Sequence, residues 1–206
     1  MKKIFALIIS VTMIFLVTAC GGQEPTPVEP TPIEVEGLLS KKGAYVNYEY
    51  SDHVLNEKGQ IIQVKVSGNS NRIDKYEYDE EGRLVKELRG KETWTYTYDE
   101  NGNLISEFQG DRTFNNTYTF DENGRILTKK SVNADTNYTM LYSYTYNEDG
   151  TIATETQTSD TSVYVITYKY DDNGRVVEET SVKKGESSGM TTKYTYGIVG
   201  TYTPIE

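Results

Sequence analysis

The chain reads as an all-β protein, an antiparallel meander of about six stacked β-hairpins curled into an open sheet or partial barrel, and three observations predict it. One short phrase recurs six times, each copy alternates with period two, and a D-x-x-G turn divides every copy. The copies are YEYDEEGRLVKE from Tyr76, YTYDENGNLISE from Tyr96, YTFDENGRILTKK from Tyr118, YTYNEDGTIATE from Tyr144, YKYDDNGRVVEE from Tyr168 and a degenerate HVLNEKGQII from His53. A unit this small cannot bury one face alone, so the copies must stack.

Before the repeats come two segments with no part in that pattern. Residues 1–19 have Lys2 and Lys3, then an apolar stretch from Ile4 to Val17 too short to span a bilayer, as in a secretory signal. Val17-Thr18-Ala19 precedes the only cysteine, Cys20, and resembles the lipobox of bacterial lipoproteins. That resemblance implies cleavage before Cys20, acylation of its thiol, and a protein held by its lipid to the outer face of the cell membrane. Residues 20–37 carry four of the five prolines and four glutamates, the composition of an extended, solvated stalk. Stretched as polyproline II, such a segment reaches roughly 50 Å. The folded domain is expected over residues 38–206.

Within each unit the turn can be typed. Asp at its first position and Gly at its fourth match a type I turn whose glycine supplies positive φ, which makes a three-residue hairpin loop. That loop sets Tyr78 opposite Leu84, Tyr98 opposite Leu104, Phe120 opposite Ile126, Tyr146 opposite Ile152, Tyr170 opposite Val176 and Leu55 opposite Ile61. Continued outward, the same register puts Tyr76 opposite Lys86. Tyrosines and aliphatics thus share one face, joined by Trp94, Phe114, Met140, Tyr142, Tyr164 and Ile166, and this face is the core. Val85, Ile105, Leu127, Ala153 and Val177 then point the other way, as a ridge fit to dock a partner, with Glu87, Glu107, Glu155 and Glu179 restoring polarity beyond it. The last half unit, Tyr194-Thr195-Tyr196-Gly197, lacks a turn and caps the array.

Composition bounds the partners. Loss of Lys2 and Lys3 with the leader takes the 21 basic side chains to 19, against 31 acidic ones. Such a balance argues against a nucleic-acid partner. One cysteine cannot make a disulfide framework. No catalytic set appears: His53 is the sole histidine, and no phosphate loop or Cys/His metal spacing is present. The acidic turns supply too few oxygens each for a calcium ion unless neighbouring turns combine into a weak cation site along their edge. The sequence therefore predicts no enzyme, no metal and no cofactor.

The Y-x-Y-D-x-x-G-R-L pattern of Tyr76 to Leu84 and Tyr168 to Val176 resembles the YD repeat of Rhs-type proteins, over about Tyr45 to Tyr196. The resemblance implies a β-sheet spiral or shell, with carbohydrate binding or the packaging of a C-terminal toxin as functions. The array here is short and runs to Thr203-Pro204-Ile205-Glu206, so the packaging role is not expected to carry over. A resemblance to choline- or glucan-binding repeats is weaker, because those rest on recurrent tryptophans and only Trp94 is present. Phenol rings stack on sugar faces and their hydroxyls hydrogen-bond, so Tyr76, Tyr78, Trp94, Tyr96, Tyr98, Tyr118, Tyr144 and Tyr168 are the expected ligand platform. The expected function is binding at the cell surface, with glycans as ligands. The alternative is a structural or interaction module of the envelope, using the ridge of Val85, Ile105, Leu127 and Val177.

Overall fold

The computed structural model describes residues 31–204, which form fourteen strands. They are β1 (Ile33–Gly43), β2 (Asn47–Leu55), β3 (Ile61–Gly68), β4 (Arg72–Tyr78), β5 (Leu84–Arg89), β6 (Glu92–Tyr98), β7 (Leu104–Gln109), β8 (Arg112–Phe120), β9 (Ile126–Asn133), β10 (Thr139–Tyr146), β11 (Ile152–Thr158), β12 (Val163–Tyr170), β13 (Val176–Lys183) and β14 (Met190–Tyr202). Consecutive strands pair antiparallel, and β14 pairs with β1, so the meander closes into a barrel. Cys20 and the leader lie outside the described residues.

The six repeats account for β2 to β13 as six hairpins, but the open or partial barrel expected from them is corrected to a closed one. Closure comes from two strands that are not full repeats. β1 starts at Ile33, within the segment assigned to the stalk, because the prolines end at Pro32 and Ile33-Glu34-Val35-Glu36 alternates as a strand does. Val35 is buried there at 2% exposure. β14 carries the last half unit and is a full wall strand, paired with β13 on one side and with ten residues of β1 on the other.

The turns are as typed. In the Gly82 unit the Asp79 N–H donates to the Arg83 carbonyl and the Gly82 N–H to the Asp79 carbonyl, both at 3.0 Å, and equivalent bonds recur in the other five units. Tyr78, Tyr98, Phe120, Tyr146, Tyr170 and Leu55 face the expected aliphatics. One residue later the register slips. Tyr78 pairs with Leu84 but Glu77 pairs with Lys86, leaving Val85 as the extra residue of a β-bulge; Ile105, Leu127, Ala153 and Val177 hold the same place.

That slip reverses the parity of everything after it. Tyr76 faces Glu87 and not Lys86, and Tyr96 faces Glu107, Tyr144 faces Glu155 and Tyr168 faces Glu179. The glutamates expected on the ridge side therefore stand among the tyrosines, inside the barrel. Glu87 is only 7% exposed. The ridge is interrupted as well: Ile105 and Leu127 are exposed, whereas Val85, Ala153 and Val177 are half-buried.

The outer face mixes polar pairs with exposed apolar side chains such as Ile73, Phe108 and Leu141. Lys86 pairs with Glu77 and Lys169 with Glu178, each at 2.7 Å, and threonines bond hydroxyl to hydroxyl across strands at Thr119–Thr128 and Thr145–Thr154. Inside, the fully buried apolar side chains among the described residues are only Val35, Val64 and Val66. Strands about 4.8 Å apart and tilted about 40° close fourteen-fold on a backbone radius of roughly 14 Å. The inward side chains line such a wall without filling it.

Candidate functional site

Each Y-x-Y-D phrase binds the unit before it. The second tyrosine lies at the strand end beside the turn, where a phenol reaches across to the neighbouring hairpin. Tyr78, Tyr98, Tyr146, Tyr170 and Tyr196 donate to the main-chain carbonyls of Ile61, Leu84, Ile126, Ile152 and Val176 at 2.6–3.1 Å. Each acceptor is the second residue after the preceding turn glycine. Phe120 has no hydroxyl, and there Tyr118 donates to Leu104 instead, at 2.6 Å.

The arginine of D-x-x-G-R works on the same seam. Arg83, Arg125 and Arg175 each donate from Nε to the aspartate that opens their own turn, at 2.6–2.7 Å, and lay the guanidinium over the next unit's second tyrosine. The guanidinium carbon lies 5.0 Å from the Tyr98 ring centre, 4.5 Å from Tyr146 and 4.6 Å from Tyr196. The aspartates also accept main-chain N–H bonds from their own turns. For Asp121 the Arg125 N–H, aided by the Asn123 N–H and the guanidinium, outweighs desolvation and holds the carboxyl below its usual range.

The first tyrosine of each pair meets the inward glutamates. Tyr96 donates to Glu87 at 3.1 Å and Tyr168 to Glu155 at 3.2 Å. Arg89 donates to the same Glu87 Oε2 at 2.8 Å, while Gln157 donates to Glu155 and Gln109 to Glu107. In the Gly124 unit the glutamate position is Lys129, which turns back to Glu107 at 3.8 Å and lies 5.2 Å from the Tyr142 ring centre. Burial, with nearby carboxylates adding to it, raises the phenol pKa of Tyr76, Tyr96, Tyr144, Tyr168 and Tyr194, and that of Tyr118 to about 12. These phenols stay neutral donors throughout the physiological range.

All eight residues expected as a ligand platform face the interior. Tyr76, Tyr78, Tyr96, Tyr98, Tyr118, Tyr144 and Tyr168 are half-buried, as an open lining requires. Trp94 is also inward, but Arg89 covers its ring at 3.6 Å and its buried Nε1 meets no acceptor among the described residues. Sequence reasoning missed the inward carboxylates Glu87, Glu107 and Glu155 and the inward Lys129. They follow their turn glycine at a constant spacing of five, a signal that the unseen bulge assigned to the wrong face. His53 stands apart from them; its Nε2 lies 3.2 Å from the Leu38 carbonyl, and burial lowers its pKa against the opposing pull of that bond and of Asp52.

Comparison with known proteins follows this geometry. A family model described as Teneurin YD-shell matches residues 44–197. Among solved structures, the chain is similar to one in the crystal structure of TcdB2-TccC3-Cdc42, with 15% identity and a TM-score of 0.33, covering 71% of this chain and 9% of that one. It is also similar to a chain of the Photorhabdus luminescens Tc holotoxin pore, with 15% identity and a TM-score of 0.32, covering 80% and 9% respectively. No curated protein matches. The chain thus spans about a tenth of the length of the solved chains it resembles.

Proposed function

The chain belongs to the Teneurin YD-shell family, and from that premise we propose that it is a small shell that binds without catalysis, held at the cell surface by a lipid on Cys20. The observation that carries this reading is the lining: a closed wall whose inward tyrosines, with Glu87, Glu107 and Glu155 among them, are only partly buried. Aromatic faces with interleaved acceptors suit a polar ligand with stackable rings, and a glycan has that chemistry. Among the described residues no three His, Cys, Asp or Glu side chains converge as a metal site would.

Two measurements test it. Glycan-array binding by the mature chain is expected to be lost in a Tyr76→Ala/Tyr144→Ala variant that keeps its β-sheet spectrum; equal signal from both proteins would refute the lining as the site. Fatty-acid labelling in cells should depend on Cys20, and a Cys20→Ala variant that still takes label would refute the anchor. A second reading, a structural or interaction module of the envelope, draws on the exposed Ile105 and Leu127. In that case Leu127→Asp abolishes partner capture and leaves glycan binding intact.

A further inference from the structure

Three of the six turn units plug their own seam with arginine, and the Gly59, Gly102 and Gly150 units carry Gln60, Asn103 and Thr151 in its place. Arg83, Arg125 and Arg175 each fill the space between a turn aspartate and the next unit's second tyrosine. In the Gly59 unit both partners of that plug are replaced. Asn56 stands where the aspartate would be and Gln60 where the arginine would be, and the two amides bond each other at 2.8 Å. Gln60 is shorter and uncharged, so among the described residues no cation lies over the Tyr78 ring. An open cleft of about 610 Å³ lies at this place, with Gln60, Tyr76 and Tyr78 in its wall and Glu57, Lys58, Glu77 and Asp79 as its charged groups.

We infer that this cleft is a binding site for a guanidinium group supplied from outside the chain, either free arginine or an arginine side chain of a protein partner. The chemistry is that of the sister seams: a planar cation stacks on a half-buried phenol and meets acidic oxygens at the rim. Tyr78 is held for this role, because its hydroxyl is fixed on the Ile61 carbonyl at 2.8 Å. Glu57, Glu77 and Asp79 outnumber the one cation of the lining, Lys58, although Asp79 is shared with its own Arg83 at 2.6 Å and Glu77 with Lys86 at 2.7 Å. The Gly150 unit has lost the same two charges, as Asn147 and Thr151, which leaves Tyr170 without an arginine of its own.

The test uses the sister seams as its template. Free arginine, an Ala-Arg-Ala peptide and an Ala-Lys-Ala peptide are titrated into the mature chain, with binding read from the Tyr78 ring resonances. Both arginine probes are expected to shift them, and lysine to bind about tenfold more weakly because an ammonium cannot stack as a flat cation. Tighter binding of the peptide identifies a partner's side chain as the source; equal binding identifies the free amino acid. The Asn56→Asp/Gln60→Arg double variant restores the internal plug, so it should lose arginine binding while melting at the same or a higher temperature. Lysine binding as tight as arginine, binding undiminished in the double variant, or no shift in the parent chain would each overturn the inference.

Discussion

A single phenol oxygen is the smallest element of the seam. Tyr98 gives its proton to the Leu84 carbonyl at 2.8 Å, and that carbonyl is left without this donor if the oxygen is removed. Tyr98→Phe is therefore expected to lower unfolding free energy by about 1 kcal/mol, read as a lower urea midpoint at an unchanged slope. Tyr45→Phe is the control, because Tyr45 is 81% exposed and should leave the midpoint where it was. Equal effects of the two would remove the seam from the account. At this scale the tyrosines could be placed from the sequence, since alternation puts both rings of Y-x-Y on one face. The partners of the first tyrosine could not. Glu87 sits beyond Val85, and nothing in the letters L-V-K-E says that Val85 is unpaired, so counting by two assigned its carboxylate to water.

The hairpin is the next unit, and its turn glycines are not equivalent. Gly124 has φ +77° with open space where a Cβ would be, so Gly124→Ala meets only the left-handed backbone penalty of roughly 1–2 kcal/mol. Gly59 has φ +74°, but a Cβ there would lie 2.4 Å from the Tyr202 ring, which packs against the turn from β14. Gly59→Ala must displace that ring as well as strain the turn. Its melting temperature should fall further than that of Gly124→Ala, and a smaller fall would show that β14 does not press on this turn. The six hairpins were legible because D-x-x-G carries its own turn geometry. The closing strands were not, since β1 shares no letters with the repeat and follows a proline-rich run, while β14 is a half phrase whose second edge finds β1 only in three dimensions.

For the whole molecule, the phenols set a limit on the alkaline side. An unfolded tyrosine loses its proton near pH 10, whereas burial, with nearby carboxylates, holds Tyr76, Tyr96, Tyr144, Tyr168 and Tyr194 above that value in the fold and Tyr118 at about 12. Between the two values the folded chain binds more protons than the unfolded one. Stability from these groups is thus fully present below about pH 10 and declines as pH rises beyond it. The urea midpoint should hold from pH 7 to 9 and drop steeply above about pH 10, with the lining phenols ionising as the sheet is lost. A midpoint level through pH 11 would contradict the buried lining. The direction of the seams has a further consequence. Every donor sits on the later unit and every acceptor on the earlier one, so a hairpin arriving during synthesis finds its carbonyl already waiting, and the wall can be laid down like courses of brick in the order in which the ribosome delivers them.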